Sequence, residues 1–351
     1  MKQVFLLGVF FACLAGNIQA EEISIGQVTL TANQTANVEV LLTNERSDIG
    51  AIQFDMYLPE GVTIDEDEYG PLYEMTDRLK IGRTEYFSFA CVNKTDHYTF
   101  QIYTNKENGV SGNSGAIFTV TLKADDKIAT QDNLIKLKKV SMATIATSSI
   151  PSVGIYQDDA QFECILQIPA KIGKSGYGSF SWPSALDFSD TGVTVFAGTR
   201  NDAGILHLEP LADGKVPENT GVILKGTANT TVFPMTTDDV VASPVNDLIG
   251  TADGEVESDG TSFYALATKP SGAGFFSVNS GVTIPKYKAY LKVSGSDASA
   301  SEGFYFDETT GIGGITADSQ KVDSYTLTGI KVKTMQQKGI YIKNGKKVVK
   351  K

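Results

Sequence analysis

The chain contains two histidines, His97 in TDHYTF and His207 in ILHLEP. A Ser-His-Asp relay or an imidazole-bound metal would have to use one of them. Neither lies in a G-x-S-x-G elbow or an H-E-x-x-H motif, so no catalytic residue is assigned. Acidic residues number 41 against 30 Lys and Arg. Asp65-Glu66-Asp67-Glu68, Asp125-Asp126, Asp158-Asp159 and Asp238-Asp239 fall in expected loops. Paired carboxylates can hydrolyse a glycosidic bond, but neighbouring loop carboxylates are ordinarily solvated, and nothing here singles out a proton donor. The 65–68 run, or Asp253 and Asp259 around Gly254 and Gly260, offers hard oxygen donors of the kind calcium takes. The D-x-[DN]-x-[DN]-G spacing is missing, so no metal or other cofactor is assigned.

Aromatic side chains beside amides and carboxylates suit a different task, the holding of a sugar ring or of a polar protein surface. Candidates for stacking are Tyr57, Tyr69, Tyr73, Tyr86 and Phe87, with Trp182 farther on. Ile52, Phe54, Met56 and Leu58 alternate with Gln53, Asp55 and Tyr57. A strand with that pattern buries the first set and turns the second outward. The expected binding residues are therefore Gln53, Asp55, Tyr57, Tyr73 and Trp182.

The elements that must position them are strands. Val38, Val40 and Leu42 alternate, as do Tyr98, Phe100 and Ile102, then Phe118, Val120 and Leu122. Pro59-Glu60-Gly61 and Asn113-Ser114-Gly115 read as turns. No helical stripe is sustained up to Asp159, and short strands separated by turns predict a β-sandwich.

The segment from Ile25 to Ile64 resembles the opening of a cohesin domain. It carries a V-x-V-x-L-x-N strand at Val38, Val40, Leu42 and Asn44, and a Y-x-P turn at Tyr57 and Pro59. NGVSGNSGAIFTVTLKA resembles a later strand of that family. The resemblance covers about residues 22–165 and implies a sandwich shared with carbohydrate-binding modules, with either a protein or a glycan as partner. Where dockerin-gripping cohesins carry a polar pair and a turn Asp, this chain has Gly50, Ile52 and Leu58, which argues against dockerin recognition.

A second β-domain is expected over 166–308, with GYGSFSWPSALDF, VPENTGVILKG and GAGFFSVNSGVTIPKYKAYL as its signals. These resemble a domain of secreted Bacteroides-type proteins. The linker GIGGI at 311–315 leads into a 309–351 tail that resembles the short C-terminal module of such proteins. Asn344-Gly345 predicts a two-residue hairpin between Ile340-Tyr341-Ile342 and Val348-Val349. The fold class is thus all-β throughout.

The net charge of −11 argues against nucleic acid or an anionic membrane as partner. Residues 1–20 read as a signal peptide: Lys2, an apolar stretch from Val4 to Ala15, and a small residue at Ala20. Lipid attachment at Cys13 is the alternative. No later apolar run is long enough to span a membrane. The expected location is extracellular or the outer cell surface. Cys91 and Cys164 remain after cleavage and could pair in an oxidising compartment or stay as free thiols. Together these features describe a non-catalytic binding or scaffold protein in polysaccharide handling. A structural envelope protein or adhesin is the alternative, and a glycoside-active enzyme is the third reading.

Overall fold

The computed structural model describes residues 21–81, 84–85, 87–201, 204–239, 244–270, 272–293 and 303–307, and four short strands between 324 and 350. The expected leader at 1–20, Tyr86, the linker at 311–315 and the Asn344-Gly345 turn lie outside the described residues. Contacts divide the chain into two compact units, 1–307 and 308–351.

The first unit begins as a sandwich of antiparallel sheets. One sheet has the order Glu21–Ile25, Thr35–Asn44, Ala116–Ala124, Val62–Ile64, and Tyr73–Met75 also pairs with Ala116–Ala124. The other has the order Ser88–Asn93, Tyr98–Tyr103, Ile49–Tyr57, Leu134–Thr144, Gly154–Tyr156, and Ala160–Glu163 also pairs with Leu134–Thr144. The period-two pattern is what lets both sheets share one core. Val38, Val40 and Leu42 on the first sheet and Ile52, Phe54 and Met56 on the second are buried. Between the layers the Phe54 ring stacks on Phe100 at 4.9 Å and on Phe118 at 6.4 Å. Gly61 takes φ +74° in the turn after Pro59, where a Cβ would meet the Ile128 nitrogen at 2.6 Å.

Ile165–Gln167 pairs in parallel with Thr29–Thr31 of the sandwich, and the chain then enters a nine-stranded sheet. That sheet runs Tyr177–Phe180, Val222–Lys225, Thr194–Arg200, Ile205–Pro210, Gly303–Phe306, Gly272–Ser277, Phe263–Lys269, Ala289–Lys292, Leu248–Gly250. A bridge between Thr220 and Ile249 brings its far end back beside the Val222–Lys225 strand, so the sheet curls toward closure around Ile223, Leu248, Tyr264, Phe275 and Leu291.

The apolar core of the sandwich continues through Leu166, Ile168 and Ile172 to Phe180, Trp182 and Phe188. Polar contacts reinforce the same junction. The Thr130 and Thr236 backbone amides each donate to the other's hydroxyl, at 2.9 and 2.8 Å. Asp126 accepts from Lys286 at 2.6 Å and from the Tyr287 hydroxyl at 2.8 Å.

The second unit is a four-stranded sheet ordered Lys331–Val332, Ser324–Thr326, Gly339–Lys343, Lys346–Lys350. Its last two strands pair Lys343 with Lys346, the register of a two-residue hairpin. Among the described residues the helical element is a short 3-10 turn, Asp77–Leu79, and no helix is long and apolar enough to cross a membrane.

Candidate binding face

Residues paired across antiparallel strands share a face. On the outer side of the second sandwich sheet, Ala90, Gln101, Gln53, Ser141 and Tyr156 form one row. Tyr103, Ala51, Ala143 and Gly154 form the next. The Gln101 amide donates to Gln53 at 3.0 Å, linking the two central strands. Small and amide side chains thus floor a groove of about 400 Å³ whose ends are marked by Tyr103 and Tyr156. Tyr103 is 53% exposed and Tyr156 77%.

Gly154 explains the pose of the Tyr156 ring. A Cβ at Gly154 would lie 3.2 Å from the Tyr156 hydroxyl and 3.5 Å from its Cζ. The ring therefore folds back over a residue with no side chain and keeps most of its surface in solvent.

Below the groove, on the same face, lies a charged cluster. The Leu134–Thr144 strand is bulged between Lys138 and Ser141, with Lys139 at φ +52°. A bulge inserts an extra residue and re-aims its neighbours. Here both lysines reach the Ile49–Tyr57 strand. Lys138 Nζ sits 4.9 Å from the centre of the Tyr57 ring, and Lys139 Nζ sits 2.9 Å from Asp55 Oδ2. Tyr57 also stacks on His97 at 4.9 Å. Thr99 donates its hydroxyl to Asp55 Oδ1 at 2.7 Å. Burial alone would raise the Asp55 carboxyl, but the Lys139 and Thr99 hydrogen bonds, with the Lys139 and His97 charges, outweigh it and hold it below its ordinary value.

The expected site residues are thus partly gathered. Gln53, Asp55 and Tyr57 share the outer face. Asp55 is a correction: it is not exposed as its strand position implies but 5% exposed, covered by Lys139 and Thr99. Tyr73 belongs to the opposite sheet and stacks on Phe89 at 3.8 Å, at the sandwich edge. Trp182 is a second correction. It lies in the second half of the unit, 2% exposed, with Phe180 at 6.1 Å and Tyr287 at 4.4 Å. Apolar neighbours cover its ring, so it serves the core.

Cys91 and Cys164 are free thiols, and the pairing entertained for them is absent. Both nitrogens of His97 face carboxylates, Nδ1 at 2.7 Å from Asp96 and Nε2 at 3.6 Å from Asp55, which is not the relay a hydroxyl nucleophile needs. Asp259 caps its own turn through Thr261 and Ser262, and Asp65 faces Lys123. Among the described residues no three His, Cys, Asp or Glu converge as metal ligands.

Among the groove residues that the sequence does not single out are Gln101, Tyr103 and Tyr156. Gln101 and Tyr103 were accessible to it, because Tyr98, Phe100 and Ile102 alternate inward and their neighbours must face out. Tyr156 lies on a three-residue strand, too short to show a period.

No family model matches the sequence, and no curated protein matches it. Among solved structures the chain is similar to cohesin domains. A non-cellulosomal cohesin of Archaeoglobus fulgidus shows 13% identity and a TM-score of 0.30 over 41% of this chain and 91% of that one. The seventh ScaB type I cohesin of Pseudobacteroides cellulosolvens shows 16% identity and 0.33 over 42% and 91%. A cohesin from the OlpA–Doc918 cohesin–dockerin complex of Clostridium thermocellum shows 17% and 0.32 over 42% and 99%. Likeness at this level says nothing of a partner. The chain's own sheets define its class, an all-β protein with a two-sheet sandwich.

Proposed function

We propose that the chain is an exported, non-catalytic binding protein that holds a neutral glycan chain along the outer face of the second sandwich sheet. One observation carries this reading: two exposed tyrosines stand at the ends of a groove floored by Gln53, Gln101, Ala51 and Ser141. Tyr103 and Tyr156 lie on strands three spacings apart, roughly 14 Å. Ring faces can take the apolar faces of sugars, while amides and a hydroxyl match ring hydroxyls without demanding charge. The leader at 1–20 supplies export. Residues 21–165 carry recognition, and 166–308 buttress them through the shared core.

A second reading, a protein partner, is favoured by Val92. It is 42% exposed on the edge strand Ser88–Asn93, in the row that includes Thr99 and Asp55. An exposed apolar residue flanked by polar and charged groups matches the apolar core and polar rim of a protein interface.

A glycan array probed with the chain from Glu21 onward separates the two. Capture of neutral oligosaccharides supports the first reading. An array without capture, beside a protein retained from the envelope of the same cells and lost on Val92→Glu, would replace it with the second.

A further inference from the structure

The nine-stranded sheet carries a second cleft, of about 460 Å³, between Tyr177–Phe180 and Phe263–Lys269 and walled by the 278–285 segment. Clefts of this volume suit small molecules. Its lining is chiefly apolar, with Ile172, Leu266, Val278 and Ile284, but it also includes Lys171 and Lys288.

The Lys288 backbone is fixed by hydrogen bonds on both sides. Its backbone nitrogen donates to the Thr251 hydroxyl at 2.8 Å. Its carbonyl accepts from the Ser181 hydroxyl at 2.9 Å and from the Thr251 amide at 2.8 Å. Gly178 lets the Lys171 backbone press close, since a Cβ there would meet the Lys171 carbonyl oxygen at 2.3 Å. The two lysines thus stand on fixed backbone at one cleft. Neither is ion-paired with a carboxylate among the described residues. Burial, and then repulsion from Lys171, push the Lys288 ammonium below its ordinary value.

We propose that this cleft binds an amphiphilic carboxylate, its head on Lys288 and Lys171 and its apolar body along Ile172, Leu266, Val278 and Ile284. The apolar walls supply burial, and the two cations supply the charge complement that a neutral ligand would leave unmet. This site is separate from the tyrosine groove, and either can fail without the other.

The test is calorimetric titration of the full exported chain with decanoate, 2-naphthoate and 1-decanol. Saturable binding of decanoate identifies an acyl body and of 2-naphthoate an aryl one. The carboxylate that binds should do so roughly tenfold or more tightly than decanol, the worth of a charge-assisted contact. Lys288→Met, which keeps the apolar stem, and the exposed-site variant Lys171→Glu should each weaken that carboxylate by a similar factor and leave decanol unchanged. Should Lys288→Met fail to fold, Lys171→Glu decides alone. Absence of saturable binding by either carboxylate, or undiminished binding in the folded variants, overturns the proposal.

Discussion

Lys139 Nζ lies 2.9 Å from Asp55 Oδ2, although Lys139 directly follows Lys138 and an unbroken strand would send the two to opposite faces. The bulge at Lys139 removes that conflict. It lets Lys138 lie over the Tyr57 ring while Lys139 closes on the carboxylate. The charged part of the face is thus built by a backbone irregularity.

Lys139→Ala should therefore raise the Asp55 titration midpoint. Its folded value is held down by Lys139 and Thr99 against burial, so loss of Lys139 leaves burial to push it up. A lowered carboxyl contributes stability above its unfolded value, about 3.9, and loses it as pH falls through the folded value. In the variant that contribution is smaller, so stability at neutral pH should fall and the loss of Tm on acidification below about pH 4 should be shallower than in the parent. Carbon-detected NMR of the Asp55 carboxyl and a Tm–pH series check this, and an unchanged midpoint contradicts it.

Asp126→Asn should lower stability by about 1 kcal/mol at neutral pH, since a charge-assisted contact between partly exposed groups is screened. Lys286 and the Tyr287 hydroxyl hold the Asp126 carboxyl below its ordinary value. That contribution is present above about pH 4 and lost below it, so the variant should show a shallower fall in Tm as pH drops below about 4. A parallel pair of curves would count against the contact.

Phe54→Ala should cost about 3–5 kcal/mol in denaturant unfolding, because Phe54 is fully buried between Phe100 and Phe118. A cost below about 1 kcal/mol would mean that the sandwich closes over the cavity.

Neither thiol should react with iodoacetamide in the native protein at pH 8. Burial pushes the Cys91 thiol up to about 12 and the Cys164 thiol up to about 11. The thiolate is the reacting form, and it is scarce in both. Mass spectrometry should find both labelled only after unfolding; labelling of native protein contradicts this.

Much of the sandwich was legible because alternation is a local signal. Ile52, Phe54 and Met56 are buried as their spacing dictates, and Gln53 faces out as it must. Asp55 shows the limit of that logic. Its strand position points outward, yet Lys139 and Thr99, distant in sequence, cover it. Trp182 was misread for a related reason: nothing local distinguishes an exposed ring from one stacked between Phe180 and Tyr287. The Tyr156 platform depends on Gly154 beneath it and on pairing with Ser141, relations that exist only once the strands are assembled.

The proposed glycan groove stands on Tyr103 and Tyr156 at its two ends. The most direct measurement repeats the glycan array with the Tyr103→Ala/Tyr156→Ala double variant beside the parent chain, with Tm recorded for both. Both rings are exposed, so their removal should leave Tm nearly unchanged, within about 0.5 kcal/mol for each site. Neutral oligosaccharides should be captured by the parent and lost by the folded variant. A variant that keeps the parent's capture would contradict it.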